Sequence, residues 1–482
     1  MVLNKVILEL DEIDFLSISN QFKQNKSQKF LKLFDLYRQK IDEKEIFIKL
    51  NVSNAAFYTL KSRLADKIQD YLFRNIMDER SEILKNVANI DNLIFQFPRE
   101  TAIAIIKKIE LDLVKYDMQN ELVIVYHAFK KIYINTDKYY EYCQKYNSAV
   151  ANSLAIDKGE SVLLDFNQKL GEYYLNKEEQ DLSRLVFYVK EMNNLSNLYP
   201  SDHLLVFKNI IHIQFSLFAK SSSEITVDNS VEELLNKTLL LCNSNVNDKC
   251  YRFIIKYLDV LHFEYFIQQE LFKKAQQYFD KIANQKCDKV HCNRCYFTFN
   301  FFKSTIALSK FNKNEVLLIN SLEKIEINEE NIVEKILYAN FIAYAYYSSS
   351  NHLLGIKVLT KLLNDVSLKQ FAHAEIEVKL FLLLFYALEG DSDSFNVTYR
   401  SLTRKIRDSI SFNYENALAF SDILKIAISY RSNDSKLTKI KLLIVKYNAL
   451  NSCSKTILPE LSMDEQFIEK LLFSNSSISI NC

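Results

Sequence analysis

Between Asn331 and Leu363 two apolar stripes at helical spacing meet across a short polar break, Ser348-Ser349-Ser350-Asn351. The first stripe holds Ile336, Ala339, Ile342, Ala343 and Tyr346, and the second holds Leu354, Val358, Leu359 and Leu362. Recurrence at i, i+3, i+4 and i+7 marks an amphipathic helix. A helix with so wide an apolar face has to bury it against something else, so this hairpin needs neighbours of its own kind. The sequence supplies them. Leu235, Ala275, Leu318, Gly355 and Phe395 each precede an apolar or aromatic residue at +4, namely Leu239, Phe279, Leu322, Leu359 and Tyr399. Each also precedes one at +7: Cys242, Ile282, Ile325, Leu362 and Leu402. Successive anchors lie 40, 43, 37 and 40 residues apart, a period found in helical-hairpin solenoids.

Turn chemistry points the same way. The 482 residues include only 4 Gly and 3 Pro, and sheets with elaborate loops depend on both. An all-α chain is expected. It is too long for one core, but a repeat array escapes that limit because each unit contacts only its neighbours. The formal net charge of +1 gives no global attraction to nucleic acid or to an anionic membrane. Glu9, Asp11 and Glu12 stand where a signal peptide needs an apolar run. No stretch approaches 18 consecutive apolar residues, so no membrane span is expected. The 8 Cys, without a secretion signal, suit the reduced thiols of a cytoplasm. Abundant Phe, Tyr, Lys, Asn and Ile, with no Trp, fit an AT-rich bacterial coding sequence and say nothing of function.

Three regions are predicted: a helical region over 1–92, a hairpin array over 97–450, and a capping helix with a polar tail over 451–482. The array hairpins are expected at 119–153, 158–197, 202–243, 247–283, 288–326, 329–364, 368–407 and 411–447. Within the first region, residues 43–72 resemble a helix-turn-helix, with Ile46, Leu50, Val52, Phe57 and Leu60 at its buried positions and Ser53 as N-cap. Phe47 departs from that pattern where a small residue is usual, and Asn51 where Gly is usual. If this segment reads DNA, Asn54, Tyr58, Lys61 and Ser62 face the groove, with Lys49 and Arg63 on phosphates. If not, it is a helical cap. Residues 1–75 hold 13 Lys/Arg against 10 Asp/Glu, a weak excess for a DNA-binding head.

The array resembles tetratricopeptide-repeat proteins. Ala275 and Gly355 match the small residue that opens the second helix of that repeat; Ala343 and Tyr346 match the small and aromatic positions of the first, and Phe279 the aromatic of the second. The resemblance implies a right-handed superhelical α-solenoid that binds a protein or peptide on a concave surface lined by the first helices.

Signals for chemistry are sparse. Cys287, His291, Cys292 and Cys295 form the one Cys/His cluster. On a continuous helix Cys287, His291 and Cys295 share a stripe while Cys292 points away, so no zinc is expected. The four Gly are too dispersed for a phosphate-binding loop. Gly390-Asp-Ser-Asp-Ser394 resembles a cation loop but has Leu402 where Glu is needed, and reads as a capped turn. Tyr133, Tyr139, Tyr140, Tyr142 and Tyr146, interleaved with Lys130, Lys131, Lys138 and Lys145, suit either base stacking or an aromatic hairpin core. Arg400, Arg404, Lys405 and Arg407 sit where cations complement a helix dipole. No catalytic constellation and no cofactor motif is found. The sequence therefore predicts a non-enzymatic interaction scaffold for a polypeptide partner. Its rival is a transcription regulator with DNA contacts confined to residues 43–72.

Overall fold

A computed structural model describes residues 3–10, 12–25, 27–39, 41, 43–75, 79–219, 230–244, 249–284, 300–312, 331–408, 414–429, 433–453, 455–459 and 461–473. Among them the elements are helices joined by turns, as the shortage of Gly and Pro leads one to expect, and no strand occurs. The chain divides into two compact units, Met1–Tyr146 and Asn147–Cys482.

The first unit holds α1 (Leu3–Glu9), α2 (Glu12–Gln24), α3 (Gln28–Arg38), α4 (Glu43–Leu50) and α5 (Asn54–Asn75), then α6 (Glu79–Ala88), α7 (Ile90–Gln96), α8 (Arg99–Lys115) and α9 (Gln119–Ile132). Helices α1, α2, α4 and α5 all pack on α3. That helix buries Leu33, Phe34 and Tyr37 completely, with Phe15 stacked on Phe34 at 4.6 Å. Its last residue, Arg38, donates to the carbonyls of Ile7, Leu8 and Leu10 at 2.8–3.2 Å. A guanidinium thus satisfies the orphan acceptors at the end of α1.

Helix α10 (Lys138–Asn176) spans the division between the units. It runs unbroken where the sequence reading placed a turn at 153–158. Gly159 lies inside it, and a Cβ there would meet Leu204 Cδ2 at 2.4 Å. This glycine permits a close helix approach and makes no turn.

The second unit continues with α11 (Glu179–Leu198) and then hairpins. These are α12 (Asp202–Phe218) with α13 (Val231–Ser244), α14 (Lys249–Gln268) with α15 (Phe272–Asn284), α17 (Ile332–Ser348) with α18 (His352–Asp365), α19 (Ala372–Glu389) with α20 (Ser392–Asp408), and α21 (Glu415–Ile428) with α22 (Asn433–Cys453). A single helix, α16 (Asn300–Asn312), packs between α14 and α17, and α23 (Glu465–Phe473) packs on α19, α21 and α22. Each first helix touches its own second helix, the next first helix and, where described, the second helix before it. Enclosed on several sides, it buries residues all round its circumference, polar ones included. In α12 every residue from Asn209 to Phe215 is buried, and in α19 every residue from Leu380 to Phe385. The single apolar face read from 331–348 is accordingly too narrow: Leu337, Phe341, Tyr344, Ala345 and Tyr347 are buried as well. Second helices keep the one-faced pattern, with Leu235, Ala275, Gly355 and Phe395 all buried as anchors. Leu318, Leu322 and Ile325 lie outside the described residues.

Tight turns are made with few glycines. Asn51, Asp117, Lys177, Glu270 and Ser350 adopt positive φ, and Gly390 is the one glycine that does so among the described residues. Leu271 N donates to Phe266 O, Asn351 N to Tyr346 O, Met118 N to Leu113 O and Asp391 N to Tyr386 O, at 2.9–3.0 Å. This i to i−5 bond is the closure that ends a helix on a left-handed residue.

Candidate functional site

The helix-turn-helix-like segment folds locally as its residue types dictate. Asn51 takes φ 48°, the left-handed value a tight turn needs. Ser53 Oγ accepts from Ala56 N at 3.4 Å at the start of α5. Ile46, Phe57, Leu64 and Ile68 are buried. Phe47, whose bulk stands against the motif, lies edge-on to Phe57 at 5.9 Å. A flank of α5 beside that buried face presents Asn54, Tyr58 and Ser62 to solvent at successive i+4 spacings, while Lys61 is half-buried.

The Tyr/Lys stretch is organised as a packed cluster. Tyr133 and Tyr142 are buried, and Tyr142 stacks on Phe129 at 4.4 Å and on Tyr133 at 5.2 Å. Lys145 lies over the Tyr142 ring at 4.8 Å and pairs with Glu141 and Glu110 at 3.2 and 3.5 Å. Lys130 and Lys138 lie over Tyr146 and Tyr133. Burial, then the neighbouring charge of Glu110, pushes the Tyr126 hydroxyl up to about 12. These rings are occupied with one another and with ammonium groups. Tyr140 stands out in solvent.

Other signals resolve into structure. Gly390 is left-handed at φ 72°, and Asp391 caps α20 by accepting from Ser394 N at 3.0 Å. Lys405, in the last turn of α20, bonds Glu375 at 2.7 Å. Burial works against ionisation of Glu375, but hydrogen bonds from Lys379 and Lys405 hold its carboxyl below the usual range. Cys287, His291, Cys292 and Cys295 lie outside the described residues.

In the second unit the exposed bulky apolar groups are unevenly placed. Phe187 and Leu198 on α11, Leu240 on α13, Leu353 and Leu354 on α18, Val397 on α20, and Leu442 and Val445 on α22 stand in solvent. On the first helices of the hairpins Leu205 and Ile332, both near N-termini, do so, and Leu154 and Leu164 on α10 and Phe311 on α16 stand in solvent as well.

A polar clasp escaped the sequence reading. Lys455 Nζ donates to Asn176 O at 2.9 Å, across 279 positions. Leu458 N donates to Glu377 at 3.0 Å, Asn416 Nδ2 to Lys455 O at 2.7 Å, and Tyr447 OH to Ile457 O at 3.0 Å. Asn451 receives Ile457 N at 2.9 Å and Asn416 Nδ2 at 2.9 Å. His373 faces Glu377 at 3.6 Å. Burial opposes the Glu377 charge, yet His373 and the Leu458 amide hold its carboxyl below the usual range. The segment after α22 is thus tied both to the helices it follows and to the α10–α11 turn. Its sequence, Lys455-Thr-Ile-Leu458, has no period to betray this.

Among the described residues no helix is long and apolar enough to cross a membrane. No protein-family profile, no curated protein and no solved structure matches the chain.

Proposed function

We propose that this chain is a non-enzymatic, cytoplasmic scaffold or adaptor that binds a polypeptide partner, and that its array is of the tetratricopeptide-like, right-handed superhelical kind. One observation carries the reading. Helices α11, α13, α18, α20 and α22 of the second unit hold bulky apolar side chains in solvent, while the first helices of its hairpins are largely buried. Interfaces of about 1,200–2,000 Å² draw most of their energy from a few buried anchors, and exposed apolar groups such as Phe187 supply surface that a partner can desolvate. The first helices leave little surface for contact, so the proposed contact face is that of the second helices. Affinity capture with the full chain, against a Phe187→Ser/Leu240→Ser/Leu442→Ser variant, tests this. A polypeptide recovered by the wild type and lost by an equally stable variant supports it. Recovery unaffected by the variant removes the proposed face.

A second reading, a transcription regulator, is favoured by the exposure of Asn54, Tyr58 and Ser62 on α5. It requires DNA retention by the full chain that falls steeply with salt and is lost in Asn54→Ala/Tyr58→Ala. Equal retention by that variant counts against it.

A further inference from the structure

A groove of about 800 Å³ lies in the first unit between α6–α7 and α8. On the α8 side, Ile105, Lys108, Ile109, Asp112 and Tyr116 line it at i, i+3, i+4, i+7 and i+11. At 1.5 Å rise per residue this wall is about 16 Å long, room for about five residues of extended chain at 3.3 Å each. The floor is apolar, with Ile83 and Ile109 buried. The other wall carries Asn89, whose Nδ2 donates to Lys85 O at 2.9 Å, and three further exposed carboxamides, Asn86 on α6 and Asn92 and Gln96 on α7. Among the described residues none of these three amides, nor Glu82, Lys108 or Asp112, has a side-chain hydrogen bond or ion pair.

We propose that this groove binds an extended polypeptide segment carrying a Lys or Arg, held through its backbone by Asn86, Asn92 and Gln96 and through its cation by Glu82 and Asp112. The proposal rests on the polypeptide-binding reading above but uses a different unit and different residues. A carboxamide offers one acceptor and two donors, the complement of a peptide bond. Asn92 and Gln96 are one helical turn apart, about 6 Å, close to the repeat of about 6.6 Å between alternate residues of an extended chain. A helical ligand satisfies its own backbone and leaves these amides nothing to meet. Two carboxylates against one ammonium favour a cationic side chain and oppose a phosphate backbone.

The test is selection of a random heptapeptide library on the full-length protein, with a random single-stranded RNA pool run in parallel. Enriched peptides are then measured by fluorescence anisotropy. The expected result is enrichment of Lys- or Arg-containing peptides whose affinity falls about tenfold or more in Asn86→Ala/Asn92→Ala/Gln96→Ala, at unchanged melting temperature. Glu82→Lys/Asp112→Lys should move the selected peptides from basic to acidic. Glu82, Asn86, Asn92 and Gln96 are exposed and Asp112 is half-buried at the edge of α8, so both variants should fold. No peptide enrichment, enriched peptides indifferent to the triple variant, or RNA retention that the triple variant abolishes each overturns the proposal. Peptides lost instead in Phe187→Ser/Leu240→Ser/Leu442→Ser would overturn the groove while leaving the scaffold reading standing.

Discussion

Gly159 and Gly355 both sit inside helices, where glycine costs about 1 kcal/mol against alanine, and each faces a different obstacle. A Cβ on Gly355 would lie 2.5 Å from two ring atoms of Phe385, which is completely buried. A ring so enclosed has nowhere to move, so Gly355→Leu should destabilise by about 1–3 kcal/mol through overpacking. A Cβ on Gly159 would meet the methyl end of Leu204, also completely buried, but a flexible chain end can turn aside where a rigid ring cannot. Gly159→Ala should therefore lie within about 1 kcal/mol of wild type, since the helix gain offsets the shift. Urea unfolding of both variants checks the contrast. Lys455 offers a test by pH. Burial lowers its ammonium to about 8 from 10.5, against the attraction of Glu178, Asp181 and Glu179. Between these values the unfolded chain holds more protons, so stability from this group rises with pH from about 8 to 10.5 and is lost as pH falls back through that window. The group is half exposed, so about 1 kcal/mol is expected, well below the dry-interior value. Measured beside Lys455→Met, wild type should gain on the variant between pH 8 and 10. Parallel curves would show that Lys455 is not desolvated.

Among the elements, the division of labour between first and second helices decides what a substitution does. An aspartate for Leu383, buried within α19, has no partner and should unfold the array, at several kcal/mol. The same change at Leu240, exposed on α13, should stay within about 0.5 kcal/mol. Circular dichroism melts of the two variants decide this. The second helices were legible because a single buried face leaves a clean period, as at Leu235, Leu239 and Cys242. First helices were legible as helices, but their all-round burial erased the stripe that would have told their faces apart. The hairpin boundary expected at 153–158 is absent, and Gly159 within α10 serves instead to admit Leu204. Some turns were legible, at Asn51, Ser350 and Gly390, while others carry polar residues of ordinary kind at their left-handed positions. Glu270, exposed at φ 57°, is one of them. Glu270→Gly should relieve that conformation and stabilise by about 0.5–1 kcal/mol. A fall in melting temperature would mean that the Glu270 side chain contributes more than its backbone costs.

At the scale of the whole molecule, a helical array is legible only through contacts near in sequence, because only those leave a period. The clasp between Asn176 and Lys455 joins positions 279 residues apart by a side-chain ammonium on a backbone carbonyl, and that carbonyl is the same in every residue. Its consequence is a coupling that a row of hairpins linked only to their neighbours would lack. The strap at 455–458 is held by Asn416, Asn451, Tyr447 and Glu377, and in turn holds the α10–α11 turn through Lys455. Asn416 is completely buried and Ile457 and Leu458 lie in the core, so removing the amides leaves the strap carbonyl of Lys455 and the amide of Ile457 without their partners. Each such orphan costs about 1–3 kcal/mol, enough to open the strap locally before the unit unfolds. In Asn416→Ala/Asn451→Ala, hydrogen–deuterium exchange should quicken at 455–459 and at 174–182 together. Residues 254–266, in the middle of α14, should keep their protection. If exchange quickens at the strap alone, the contact to Asn176 holds nothing, and the two ends of the unit behave as independent elements.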